Sequence, residues 1–335
     1  VWGELIFTKN ENMQDSFFDE LSQLRQEYVE RVLPSLIPGV SKDIMGMSRF
    51  NSSSRKIDIS LSSDALVGTS YDPKKSRFVH FTSLRSLQSI VNENAIRLYS
   101  LQNVNDPNEF NFYVSELEIV NRSIDNLKTN TFILSLCEAG VLKSENILNL
   151  WRFYGDGGLG VAIEFEIEIP LSPFRNYFLG KILYRKPKIG SFKRRNAKFE
   201  KKNKVTMDFS EIVRIPACFH KNPYYKAEEE VRLMLVDDHG ESSAKHDHKQ
   251  NHFRRDFNSR PELVTYHRLE LGQKSSLHDP KITIKRIELG FKHSRDFFID
   301  FRIHLIDTFV SMTKAGIWKD DIPEIEPSPL GNIYR

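Results

Sequence analysis

Apolar positions along this chain fall mostly into short alternating or continuous runs separated by polar spans, and only a few stretches keep a helical period. The clearest run is Arg77 to Thr82, where Phe78, Val79 and Phe81 predict a buried strand that carries the polar side chain of His80 inward. Ser83 is placed to cap a helix in which Leu84, Leu87, Ile90 and Val91 share one face. Asn92 to Asn94 ends that helix, and Ile96, Leu98 and Leu101 re-extend the chain. It then enters the polar run Asn103 to Glu109, where Pro107 forbids a ladder bond and the Asx residues favour a turn.

Either side of this segment the pattern predicts further elements. Trp2 to Phe7 reads as a short strand, Asp15 to Leu33 as an amphipathic helix stopped by Pro34, and Ile57, Ile59 and Leu61 as an edge strand. Residues 1–70 read as an N-terminal helical arm, closed by the turn Asp72 to Lys75. Phe110 to Ile124 predicts a helix and Thr131 to Glu138 a central strand covered on both faces. Asn149 to Tyr154 predicts a short helix stopped by Gly155, with Trp151 and Tyr154 on one face. Strands are expected at Leu159 to Glu166, Gly180 to Tyr184, Glu228 to Val236 and Lys281 to Leu289, and in the third the period of two puts Glu228, Glu230 and Arg232 together. Phe297 to Met312 predicts a helix, and Ile322 to Pro329 an extended tail. The spacing lacks a regular βαβ rhythm, so the expected fold is α+β, a mixed or antiparallel sheet split around a cleft. Residues 71–295 would form that domain and residues 296–335 a C-terminal helix and tail.

With 335 residues and 11% aromatics the chain can bury a large core, and a net charge of +3 leaves partner choice to local charge. Cys137 and Cys218 stand apart in apolar surroundings, outside any C-x-x-C spacing, which argues against a disulfide framework or a thiolate zinc site. No apolar run reaches the roughly 18 residues that suggest a membrane span, and Val1 to Asn10 lacks signal-peptide character, so a cytoplasmic protein is expected. Lys181 to Lys204 is basic against the single acid Glu200, with Tyr184, Phe192 and Phe199 interleaved. Such a segment suits phosphates and bases, with Lys193, Arg194 and Arg195 as candidate nucleic-acid contacts, unless it is a solvated helix face. The run His239, His246, His248 and His252 reads as a loop in preference to a metal site. Gly155 to Gly158 is no P-loop, and no dinucleotide fingerprint occurs, so no tightly bound cofactor is expected.

Several short motifs occur in one order: His80-x-Thr82, Asn105-Asp106-Pro107-x-Glu109, Phe132 to Glu138, Trp151-x-x-Tyr154, Gly160-Val161-x-Ile163-x-Phe165, Glu228-x-Glu230-x-Arg232 and Ile287-x-Leu289-Gly290. The set resembles the prokaryotic family catalogued as domain of unknown function 2971, over roughly residues 75–295, with Tyr224 or Tyr225 as its usual aromatic before the glutamates. The family name supplies no reaction. More distantly, a strand bearing His then Thr, a helix, and a late strand bearing Glu is similar to the ADP-ribosyltransferase superfamily. That resemblance implies NAD as a consumed substrate. His80 and Thr82 would hold ribose, Trp151 and Tyr154 would wall the pocket, and Glu230 with Glu228 would stabilise charge at the anomeric carbon. Tyr99, Asn105, Asp106, Glu109, Ser135 and Arg232 complete the candidate binding set.

The expected function is an effector or toxin of a bacterial defence-type system that transfers ADP-ribose to a macromolecule, nucleic acid included, or hydrolyses NAD. The alternatives are a non-catalytic nucleotide- or partner-binding module, with the N-terminal arm docking a protein, and an RNA-directed nuclease using His80 and Glu230.

Overall fold

The fold is drawn from a computed structural model, which describes residues 11–40, 45–51, 55–61, 63–103, 110, 113, 125, 127–169, 177–185, 189–208, 210–237, 249–255, 261–272 and 279–332. Helix α1 (Glu11–Arg31) buries Leu21, Leu24 and Tyr28 at helical spacing, and a 3-10 turn containing Pro34 ends it. Strands β1 (Met45–Asn51) and β2 (Lys56–Leu61) pair antiparallel, with Ile57, Ile59 and Leu61 buried by the period of two. Next come β3 (Arg77–Thr82), α2 (Leu84–Glu93) and β4 (Ala95–Ser100). The Ser83 hydroxyl accepts the Ser86 N–H, and Asn94, at φ 45°, closes α2 in the left-handed conformation.

The chain continues through β5 (Thr131–Glu138), α3 (Ile147–Phe153), β6 (Val161–Glu168), β7 (Tyr177–Lys181), α4 (Ile189–Asn203), β8 (Thr206–Asp208) and α5 (Ser210–Cys218). It ends with β9 (Glu230–Val236), β10 (Lys249–Arg255), β11 (Pro261–Glu270), β12 (Lys281–Leu289), α6 (Arg295–Lys314) and β13 (Glu324–Pro327). The expected strand at Trp2 to Phe7 and most of the expected helix at Phe110 to Ile124 lie outside the described residues, as do Asn105, Asp106, Glu109, His239, His246 and His248.

One path of the large sheet runs β10-β11-β4-β5-β3-β6-β12-β13, and β7 and β9 join it through β5. Almost every pairing is antiparallel; β13 is parallel to β12, so the sheet is mixed and the fold α+β. Strand β5 organises it. One edge pairs with β9 along its length, from Thr131↔Val236 to Cys137↔Glu230. The other edge is divided: Ile133 and Phe132 pair with β4, Cys137 and Glu138 pair with β3, and Leu134, Ser135 and Leu136 pair with neither. The sheet opens at that gap.

The described part of the N-terminal segment packs into the body of the fold. Leu24, Tyr28, Ile57 and Tyr71 share one core with Phe192 and Phe199 of α4 and Ile212 of α5, and β2 pairs in parallel with β8. Sequence gave no sign of this because the partners are about 150 positions apart. The hairpin of β10 and β11 and the edge strand β13 also lay outside the expected elements, and His252 sits on β10. Two glycines allow a tight backbone crossing where β6 and β12 begin and end. A Cβ on Gly160 would lie 2.1 Å from the Thr82 carbonyl oxygen, and one on Gly290 would lie 2.3 Å from that of Gly158.

Candidate functional site

A cavity of about 420 Å³ opens at the divided edge of β5. Its floor is Ile133, Leu134, Ser135 and Leu136; β3 contributes His80, β4 contributes Arg97 and Tyr99, and Tyr154 enters from the end of α3. The remaining wall is Lys221, Tyr225, Glu228, Glu230 and Arg232. Apolar floor and convergent polar groups are the usual make-up of a small-molecule site. His80, Tyr99, Ser135, Tyr154, Glu228, Glu230 and Arg232, up to about 150 positions apart, thus surround one space. Thr82 lies beside it, in an adjoining recess of about 120 Å³ that shares His80, Arg97 and Tyr99.

His80 spans the split. Its Nδ1 lies 2.9 Å from the Ser135 carbonyl oxygen, one of the β5 groups that pairs with neither β3 nor β4. With Nδ1–H donating there, Nε2 is left as an acceptor. Burial pushes the imidazole below its ordinary pKa, although the bond to Ser135 works the other way, so His80 is neutral at pH 7.

The two glutamates differ sharply. Glu230 is 5% exposed, and Arg232 Nε donates to its Oε1 at 2.7 Å while Lys221 Nζ is 2.5 Å from its Oε2. Burial disfavours its charge, but Arg232 and Lys221 outweigh that and hold the carboxyl well below the usual range. Arg232 also donates to the Cys218 carbonyl oxygen at 2.7 Å. Glu228 lies in the wall with less cover; its Oε1 accepts the Tyr154 hydroxyl at 2.5 Å and its Oε2 accepts Lys221 Nζ at 2.8 Å. Burial and the Glu228 charge push the Tyr154 phenol up, so it remains a donor. Burial likewise raises the Cys137 thiol, which donates to the Glu228 carbonyl oxygen and is no nucleophile.

Several expectations are corrected. Glu228 is not on the strand: it ends the 3-10 turn Pro223–Glu228, and Glu229, at φ 47°, turns the chain into β9. Trp151 does not wall the cavity. It is fully buried, edge-on to Phe81 and Phe291, because α3 turns that face onto the sheet while Tyr154, past its last turn, points into the opening. Phe192 and Phe199 cannot stack on bases, since both are buried, Phe199 edge-on to Tyr28. Lys193, Arg194 and Arg195 all lie on α4; Arg194 and Arg195 are exposed, and Arg195 donates to the Arg31 carbonyl oxygen at 2.9 Å, fastening α4 to α1.

Sequence reasoning missed Lys221 and Arg97. Lys221 is 8% exposed and bridges both glutamates, yet it stands seven positions before Glu228 in irregular chain, a spacing with no periodic signal. Arg97 sits over the Tyr266 ring at 4.5 Å and is paired to Glu93, which places its guanidinium between cavity and recess.

Fold and site together define an α+β protein with a polar-walled pocket at a split in a mixed sheet. Over residues 150–233 the chain matches the family described as protein of unknown function (DUF2971), as the motifs implied. That span holds Tyr154, Lys221, Tyr225, Glu228, Glu230 and Arg232, one complete wall of the cavity. No curated protein and no solved structure matches the chain, and kinship with ADP-ribosyltransferases is not shown by these matches.

Proposed function

We propose that the cavity binds NAD as a consumed substrate and that the protein transfers its ADP-ribose to a macromolecular acceptor, or to water when no acceptor is present. The observation that supports this is a neutral histidine, whose Nε2 has no bond among the described residues, on the same cavity as a partly accessible carboxylate held by Tyr154 and Lys221. In this reading His80 Nε2 accepts a ribose hydroxyl, and Tyr99 and Tyr225 flank the nicotinamide ring. The glycosidic C–N bond breaks with its electron pair leaving on nicotinamide, and the acceptor's lone pair forms the new bond at the anomeric carbon as the acceptor's proton passes to solvent. Glu228 stabilises the positive charge that develops on the sugar between these events. Glu230 suits that task less well, because two cations cancel most of the field it would present. The same compensation leaves no spare carboxylate at Glu230 for a nuclease.

A second reading, a non-catalytic nucleotide-binding module, draws on the same balance: Lys221 and Arg232 match the charge of both glutamates. Purified protein incubated with NAD separates the two. Nicotinamide release that is lost in Glu228→Gln supports the transferase reading, binding without release supports the module, and absence of both removes NAD from the account. An effector role would add that expression of the chain arrests growth and Glu228→Gln relieves it.

A further inference from the structure

At the mouth of the cavity two short segments face solvent. Arg152-Phe153-Tyr154 closes α3, and Tyr224-Tyr225-Lys226 lies in the turn Pro223–Glu228. Tyr154 and Tyr225 line the cavity; their neighbours Phe153 and Tyr224 are 77% and 93% exposed, the barest large hydrophobic side chains among the described residues. Each segment also carries an exposed cation, Arg152 or Lys226, that makes no ion pair among the described residues. The two segments are held at fixed spacing, because the Tyr154 hydroxyl donates to Glu228 and the Asn222 side chain caps the turn at Tyr224 N–H, 3.1 Å away.

Leaving these rings in water forgoes burial, and α3 has an apolar core at hand that takes Trp151 two residues earlier. Two exposed rings and two cations with no ion pair among the described residues, set on short segments at one rim, offer faces for bases and charge for the phosphates between them. A duplex offers no free base faces, whereas a single strand does.

We propose that Phe153, Tyr224, Arg152 and Lys226 form a docking platform for single-stranded nucleic acid at the cavity mouth. The platform is distinct from the basic face of α4. As a binding surface it stands without NAD chemistry; its role as the acceptor's dock rests on the transferase reading above.

The test uses the full chain and a fluorescent 12-nucleotide single strand, read by anisotropy without NAD, with the duplex of the same sequence as comparison. The variant Phe153→Ser/Tyr224→Ser changes two exposed side chains outside every core cluster, and its fold is checked by urea unfolding. The single strand is expected to bind the wild type more tightly than the duplex does, and the variant to lose at least about tenfold in affinity. Equal affinity for strand and duplex, an unchanged variant, or no binding of the single strand overturns the platform; the last outcome leaves a protein acceptor as the alternative. Nicotinamide release is followed on the same wild-type preparation. Strand binding that depends on the two rings, without nicotinamide release, keeps the platform and removes the transferase reading. Release without strand binding does the reverse.

Discussion

Glu228 and Glu230 are two residues apart, yet their surroundings assign them different work. Glu230→Gln would leave Lys221 and Arg232 under-compensated in a buried setting, and should cost about 3–5 kcal/mol, read as a lower urea midpoint. Glu228→Gln keeps the Tyr154 contact but loses the charge facing Lys221 at a less buried position, so it should cost less than Glu230→Gln, about 2 kcal/mol, while nicotinamide release falls by orders of magnitude. Because the folded pKa of Glu230 is depressed, its stabilisation is present above the unfolded value, about 4.3, and is lost as pH falls through the folded one. The urea midpoint of Glu230→Gln should therefore fall less steeply with acid than that of the wild type. His220 acts over a higher range. It is buried against Tyr71 and Tyr113, donates Nδ1–H to the Pro216 carbonyl oxygen, and is pushed down to about 4 by burial. The unfolded chain binds its proton near 6.5, so stability drops by about 3 kcal/mol between there and the folded value. His220→Asn should flatten that part of the pH profile; an unchanged slope would mean that His220 is not the group responsible.

Among the elements, α4 shows how a charge run can serve two ends. Its apolar face, Phe192 and Phe199, belongs to the core with α1, where the Tyr28 hydroxyl donates to Asn196 at 3.0 Å, and Lys202 pairs with Glu27 at 2.7 Å. The opposite stripe, Arg194, Lys198 and Lys201, is exposed and spaced for one face. Replacing these three by Ala should leave stability within about 0.5 kcal/mol. If α4 contributes phosphate contacts, the same change lowers the salt dependence of oligonucleotide binding by up to about three phosphate equivalents. An unaltered salt slope would restrict the helix to its packing role.

For the molecule as a whole, the cavity exists because β5 cannot pair with β3 and β4 over the same residues. Beside the strand that carries His80 the backbone is close-packed at Gly160, where a methyl group would meet the Thr82 and Gly155 carbonyl oxygens. Gly160→Ala should cost about 3 kcal/mol or more, since backbone atoms cannot rotate aside as a side chain would. It should also weaken ligand binding, because Thr82 ends the strand that carries His80. A variant of wild-type stability would show that the crossing is looser than this packing implies.

Much of this was legible from local pattern. The apolar runs gave β3, β5 and β12 at their observed bounds, because a strand buried on both faces leaves a short apolar block with polar ends. The Ser83 cap and the Asn94 stop bounded α2 for the same local reason. Seven of the polar or aromatic cavity residues, His80, Tyr99, Ser135, Tyr154, Glu228, Glu230 and Arg232, were also readable from motifs. What the sequence could not decide is which of these face one another. Strict alternation placed Glu228 on a strand, whereas a left-handed Glu229 moves it to a turn, and helical spacing joined Trp151 to Tyr154 although only Tyr154 reaches the cavity. Lys221 pairs with both glutamates through a loop that has no period, and the N-terminal segment finds its core partners far along the chain. Periodicity is a property of neighbouring residues, so it fixes strands and helices. The division of β5 between two strands, and with it the cavity, depends on pairings between distant segments that only the folded chain brings together.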